Sequence, residues 1–154
     1  MDDEVKKVLS KLEALCSKRE YCSSDILDKA RKALDGSSSG AEEILSSLVR
    51  DGYVSDLRYA SSFAREKASL TGWGPAKIRF ALSGKKIPLE IIDEALGEID
   101  TDKAASRLER LLQIKWKYLQ GDPQGKLKLI KYALGRGYGY DQIRDIADRI
   151  ARNG

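Results

Sequence analysis

Apolar residues recur at intervals of three and four along nearly the whole chain, which is the spacing of an amphipathic α-helix. The clearest run lies near the C-terminus, at Ile143, Ile146, Ala147 and Ile150. No stretch alternates apolar and polar residues at every second position, as a half-buried strand does. The pattern therefore predicts an all-α protein of about nine helices joined by short turns.

Glycine, proline and N-capping residues separate the predicted helices. The polar segment Gly36–Gly40 is interpreted as a flexible turn before the third helix. The fourth helix is expected to continue to about Leu70. In the eighth helix, about residues 124–134, the residues expected to face the core are Leu127, Ile130, Ala133 and Leu134.

The segment Gly72–Pro88 contains a joint between two predicted helices. Gly72 and Gly74 suit the end of a helix because glycine adopts the left-handed backbone conformation without a Cβ clash. Pro75 suits the start of the next helix, where its missing N–H would have no intrahelical partner. Ile78, Ala81 and Leu82 then form an apolar face. The segment is therefore predicted to be a helix-turn-helix joint.

Three joints share one spacing, with an aromatic residue five positions before an isoleucine. The pairs are Tyr21 with Ile26, Trp73 with Ile78, and Tyr138 with Ile143. The unequal distances between them indicate an irregular repeat of a three-helix unit. We expect each aromatic ring to pack on its turn rather than to stack on a nucleic-acid base. The predicted repeats cover residues 1–54, 55–99 and 100–154.

The amino-acid composition argues against several kinds of catalytic and metal site. The chain has 154 residues and no histidine, which removes the commonest general base and the Ser-His-Asp and Cys-His nucleophile systems. Cys16 and Cys22 lack a zinc-site spacing and are expected to be reduced core thiols. No apolar run is long enough to span a bilayer, and the start of the chain is acidic. We expect a cytoplasmic, monomeric protein without metal, cofactor, membrane contact or enzymatic activity.

Charge is distributed unevenly along the chain. The net charge, counted from Lys, Arg, Asp and Glu, is −2 for residues 1–55, +1 for 56–99 and +5 for 100–154. A basic surplus that lies mainly in the C-terminal third favours an anionic partner, either nucleic acid or an acidic protein groove.

Three sequence blocks carry a family resemblance. They are residues 51–60 (DGYVSDLRYA), residues 74–82 (GPAKIRFAL) followed by Lys86-Ile87-Pro88, and Arg136-Gly137-Tyr138 with Ile143. In this order and at these distances they resemble the signature blocks of the RecX family. The resemblance implies a curved, elongated all-α molecule of three tandem three-helix repeats. It also implies a bacterial regulator that binds the filament of the RecA recombinase on DNA and inhibits its recombinase, ATPase and co-protease activities.

The candidate partner-binding residues are basic, and DNA, single- or double-stranded, is a further possible partner. On the predicted helix from Thr101, the basic residues at 103, 107, 110 and 117 share the face opposite the leucines. Each residue alone is explained better by a solvated helix face with local ion pairs than by a binding role, whereas the set favours an anionic partner. The full set is Arg58, Arg65, Lys77, Arg79, Lys85, Lys86, Lys103, Arg107, Arg110, Lys117, Lys126 and Arg136.

Two alternatives remain. A helix-turn-helix protein that binds DNA without RecA would place a recognition helix in the major groove. The helix opened by Pro75 mixes Lys77 and Arg79 with Phe80 and lacks a run of side chains suited to base edges. An enzyme is less favoured, because carboxylates such as Asp93 and Glu94 are adjacent and face apart on a helix. The chain also has no phosphate-binding GxxxxGK[ST] loop.

Overall fold

The computed structural model describes residues 1–153, and every regular element among them is helical. These residues form nine α-helices and one π-helical turn, and they form no strand. The all-α prediction is therefore confirmed. The helices are α1 (Asp3–Cys16), α2 (Ser23–Ala33), α3 (Ser38–Arg50), α4 (Asp56–Glu66), α5 (Pro75–Gly84), α6 (Leu89–Gly97), α7 (Thr101–Lys117), α8 (Gly125–Gly135) and α9 (Tyr140–Asn153), and the π-helical turn is Lys67–Thr71.

The chain divides into two compact units. The first contains residues 1–62 and 82–94, and the second contains residues 63–81 and the chain from residue 95 onward. All boundaries between the units fall inside residues 55–99, the second predicted repeat. The division into repeats 1–54, 55–99 and 100–154 stays a prediction.

In the first unit, α1, α2 and α3 enclose an apolar core. Ile26, Ile44 and Leu48 are completely buried at its centre. Cys22 is also completely buried and Cys16 is half-buried, and both thiols are free, as predicted. The Tyr21 ring is buried against the same core.

In the second unit, α7, α8 and α9 enclose a separate core. Its members on α9 are the four residues of the predicted apolar stripe, of which Ile143 and Ala147 are completely buried. The Tyr138 ring is buried at the start of this core, as expected for an aromatic residue that packs on its turn.

The predicted flexible turn Gly36–Gly40 is wrong in part, because only Gly36 and Ser37 lie outside a helix and α3 already begins at Ser38. The hydroxyl of Ser37 accepts a hydrogen bond from the Gly40 amide at 3.3 Å and so caps the helix. Gly40 is buried, and a Cβ added there would lie 2.8 Å from Leu34 Cδ1. From Ser37 onward, the serine-rich segment therefore supplies a cap and a close packing contact.

The predicted core face of α8 is also wrong in part. Leu127 and Leu134 are 49% and 44% exposed, whereas Leu129 is completely buried. Gly125 determines this rotation, since a Cβ there would lie 2.9 Å from the carbonyl oxygen of Leu119 and 3.2 Å from the Trp116 ring. The helix turns its glycine toward α7, and the face that includes Leu129 and Ala133 follows it into the core.

The end of the fourth predicted helix differs from a regular α-helix. After Glu66 the chain continues as the π-helical turn Lys67–Thr71, and Gly72 ends it at φ 71°. The carbonyl oxygen of Lys67 accepts both the Gly72 amide and, at 2.9 Å, the Trp73 amide. α5 then begins at Pro75, as predicted.

Candidate interaction surface

The basic residues predicted on one face of α7 do share that face. The helix begins at a conventional cap, since the Asp100 carboxylate accepts the Lys103 amide at 3.1 Å. At about 100° per residue, the four basic side chains fall within an arc of about 80°, opposite the buried Leu108 and Leu112. Three of them are exposed and have no ion pair among residues 1–153, namely Lys103, Arg110 and Lys117. The fourth, Arg107, is half-buried.

Two apolar side chains lie on the same face of α7 and were not predicted to be part of it. Ile114 and Tyr118, the latter just past the end of α7, occupy the positions 11 and 15 residues after Lys103. They are 48% and 81% exposed. Their helical spacing from Lys103 is the sequence signal that would have identified them. We call the six residues the α7 face: Lys103, Arg107, Arg110, Ile114, Lys117 and Tyr118.

Lys85, in the first unit, is held by neighbouring residues of that unit. Its ammonium group donates to the Asp25 carboxylate at 3.1 Å, and its carbonyl oxygen accepts the Ser24 hydroxyl at 2.7 Å. The hydrogen bond to Asp25 is the main reason that the pKa of Lys85 is raised. Burial raises the pKa of the nearby Tyr59 phenol. Lys85 therefore forms a structural ion pair.

Arg58 in the same unit also has an internal role. Its guanidinium donates to the Glu20 carboxylate at 3.0 Å and to the carbonyl oxygen of Gly52 at 2.8 Å. Lys86, by contrast, is exposed in the left-handed region at φ 60° and has no ion pair among the described residues. Of these two predicted sites, only Lys86 presents an uncompensated charge.

Three other predicted residues, all in the second unit, have partners within the chain. Arg65 lies 4.0 Å from the Glu98 carboxylate, and Lys126 forms an ion pair with Asp148. Arg79 is half-buried and also interacts within the chain. The sequence could not show these contacts, because most of the partners are distant along the chain.

Arg136 serves the joint between the π-helical turn and α5. Its guanidinium donates to the carbonyl oxygen of Thr71, and its own carbonyl oxygen accepts the Gly74 amide at 2.7 Å. The neighbouring Tyr138 hydroxyl donates to the carbonyl oxygen of Gly72 at 3.0 Å. Arg136 and Tyr138 thus satisfy carbonyl groups that the helix end leaves free.

Around the same joint, two lysine side chains lie against the Trp73 ring. The ammonium groups of Lys67 and Lys77 lie 4.8 and 4.7 Å from the centre of its ring. Phe63 meets the indole edge-on, with 6.1 Å between ring centres. Sequence reasoning included Lys77 but missed Lys67, because a single lysine in a helix carries no signal of the ring it approaches.

The structure thus brings together the four basic residues of α7 and leaves the other candidates apart or engaged. Among the described residues, no cluster of three or more His, Cys, Asp or Glu side chains is arranged to hold a metal ion. None of the helices in residues 1–153 combines the length and apolar character needed to cross a membrane.

Comparison with known proteins gives one consistent answer. Residues 55–96 match the model of the RecX family's second three-helix domain. The chain is similar to the regulatory protein RecX of Prosthecochloris aestuarii, with 29% identity over 99% of both chains. It is also similar to the regulatory protein RecX of Escherichia coli, with 31% identity over 73% of this chain and 68% of that protein.

Two solved structures share the fold. A crystal structure of regulatory protein RecX, 25% identical, superimposes with a TM-score of 0.85 and covers 95% of this chain and 72% of that one. The crystal structure of RecX from Lactobacillus salivarius superimposes with a TM-score of 0.88 over 99% of both chains. The second is 22% identical and is therefore evidence for the fold alone.

Proposed function

The chain belongs to the RecX family of regulatory proteins, and on this premise we propose that it binds the RecA–DNA filament and inhibits its recombinase, ATPase and co-protease activities. It acts without catalysis of its own. The protein lies in the filament groove, bridges RecA subunits and opposes the movements that ATP turnover and strand exchange require.

The α7 face is the observation that best supports this proposal. Its exposed cations have no carboxylate partners among residues 1–153, so their charges are available to an anionic surface. The exposed Tyr118 adds an amphipathic ring of the kind enriched at protein interfaces. A face that combines cations with an aromatic side chain suits a groove formed by protein and nucleic acid together.

The test uses RecA assembled on single-stranded DNA. Adding this protein should lower the rate of ATP hydrolysis and the yield of strand exchange in a concentration-dependent way. Unchanged rates at a high molar ratio of this protein to RecA would refute the proposal. Binding compared across free RecA, free DNA and assembled filament should be strongest for the filament.

The rival, a helix-turn-helix protein that binds duplex DNA without RecA, has less support. A recognition helix reads bases with polar side chains near its N-terminus. The exposed residues in the first turns of α5 are Pro75, Ala76 and Phe80, which offer no side-chain hydrogen bonds to base edges. A sequence-specific footprint on duplex DNA in the absence of RecA would favour the rival instead.

A further inference from the structure

Lys67 and Lys77 hold two positive charges over one aromatic ring in the second unit. The ammonium groups lie 4.8 and 4.7 Å from the centre of the Trp73 ring. The distance between the two ammonium groups therefore cannot exceed the sum of these two distances. Neither lysine has a carboxylate at ion-pair distance among residues 1–153. The indole stabilises each ammonium group through its ring quadrupole but does not neutralise it.

Further cations adjoin the same joint. The Arg136 guanidinium bonds to the Thr71 carbonyl, two residues before Trp73. Arg107 and Arg136 both act electrostatically on the Tyr138 hydroxyl, which bonds to the carbonyl oxygen of Gly72. The potential around the joint is therefore positive and attracts anions.

An open aromatic ring lies beside these cations. Phe80 follows Lys77 by three residues on α5, so the two side chains are neighbours on the helix surface. The Phe80 side chain is 82% exposed, unlike the half-buried Trp73, whose ring is already in contact with two ammonium groups. Phe80 contributes little to any core and has a face free to stack.

We infer that Lys67, Lys77 and Phe80 form a contact site for single-stranded nucleic acid, with the backbone phosphates held by the two ammonium groups and a base on the Phe80 ring. Cations that follow the backbone combined with aromatic rings that stack on bases are the usual components of such sites. The choice of ligand rests on the proposed function, whereas the site itself rests on the geometry around Trp73. Trp73 positions the two lysines.

The test measures binding of a fluorescein-labelled oligothymidine by fluorescence anisotropy, with the full chain and without RecA. The variant Lys67→Met/Lys77→Met should bind about tenfold more weakly at low salt. Its slope of log affinity against log salt should be shallower by about 0.7 for each phosphate that the variant no longer neutralises. Lys67→Arg/Lys77→Arg should retain most of the affinity, because it keeps both charges.

A matched control removes the same charge from the same unit. Lys126 and Lys128 are exposed but paired with Asp148 and Asp122. Lys126→Met/Lys128→Met should change oligothymidine affinity only slightly. Equal weakening by the two double variants would overturn the site, because net charge alone would then explain the binding.

Phe80→Ala identifies the class of ligand. It should weaken oligothymidine binding but leave the salt slope unchanged, since stacking releases no counterions. If Phe80→Ala has no effect and an oligoglutamate of equal charge competes as well as oligothymidine, the site binds an acidic protein surface and the inference is wrong. Oligothymidine binding that follows these expectations, in a protein that leaves RecA activity unchanged, would refute the proposed function and not this site.

Discussion

Gly74 and Gly137 meet backbone to backbone in the second unit. A Cβ added to Gly74 would lie 2.5 Å from the carbonyl carbon of Gly137, and one added to Gly137 would lie 2.6 Å from the Lys77 amide nitrogen. The Ala76 amide donates to the carbonyl oxygen of Gly137 at 3.0 Å across this contact. The two joints are thus held together by main-chain atoms, which cannot move aside as a side chain can.

Gly74→Ala should lower the free energy of unfolding by about 1–3 kcal/mol, because the added methyl group overpacks a contact between backbone atoms. Urea denaturation monitored by circular dichroism measures the change. Gly97→Ala is the control, since a Cβ there meets nothing within 4 Å. Equal stability of the two variants would show that the close approach of the two backbones does not constrain the joint.

Tyr138→Phe should cost about 1 kcal/mol of stability, because it removes the donor to the Gly72 carbonyl and keeps the buried ring. Tyr140→Phe is the comparison, as Tyr140 is 52% exposed. The same denaturation experiment applies to both. A larger loss from Tyr140→Phe would contradict this role of the Tyr138 hydroxyl.

The contribution of Tyr138 should depend on pH in the alkaline range. Burial raises the pKa of its phenol, and the charges of Arg107 and Arg136 oppose that rise. Since the pKa is higher in the folded than in the unfolded protein, the stabilisation is fully present below the unfolded value of about 10. The stabilisation is lost as the pH rises through the pKa of the Tyr138 phenol in the folded protein. The stability difference between wild type and Tyr138→Phe, measured in urea at pH 8 and pH 10.5, should therefore narrow at the higher pH.

Lys85→Met should act on stability and not on the proposed activity. Its ion pair with Asp25 is partly exposed, with side-chain exposures of 43% and 27%, so we expect a loss of about 0.5–1 kcal/mol. Inhibition of RecA by this variant should match that of wild type. Lys86→Met, at an unpaired and exposed neighbour, should leave stability unchanged. A marked loss of inhibition by the folded Lys85→Met variant would show that Lys85 contributes to partner binding and not only to stability.

The triple variant Lys103→Ala/Arg110→Ala/Lys117→Ala tests the α7 face. It should raise the concentration needed for half-maximal inhibition of RecA ATPase about tenfold or more, and it should flatten the salt dependence of inhibition. Lys6→Ala/Lys7→Ala/Lys11→Ala removes the same charge from exposed positions on α1 and should have little effect. An unchanged salt dependence in the first variant would place the binding surface elsewhere.

The sequence was sufficient where local periodicity decides the structure. The stripe on α9 and the start of α5 at Pro75 depend on residues within one helix, and both are confirmed. The face of α8 was wrong because the leucine pattern is ambiguous there. The close packing of Gly125 on Leu119 and Trp116, which resolves the ambiguity, involves residues outside that helix.

For the candidate surface, sequence spacing identified a shared face on α7 because one helix carries all of its members. It could not separate free cations from engaged ones. Arg58 and Glu20 are 38 residues apart, and Arg136 and Thr71 are 65 residues apart. Such pairs form only through tertiary packing. From the sequence alone, Arg58 and Arg136 were therefore predicted to bind a partner, just as Lys103 was.

The π-helical turn at Lys67–Thr71 gives this region an unusual sensitivity to changes in chain length. A π-helical turn holds more residues than an α-helical one, so it accommodates an additional residue without disturbing the helix before it. Deleting one residue between Lys67 and Thr71 would favour a regular α-helix and rotate the joint that follows, residues 72–75, by about 100° relative to residues 63–66. The indole of Trp73 would then leave Lys67 and Phe63, and Gly74 would lose its register with Gly137. Point substitutions in this turn should be tolerated far better than any single-codon deletion.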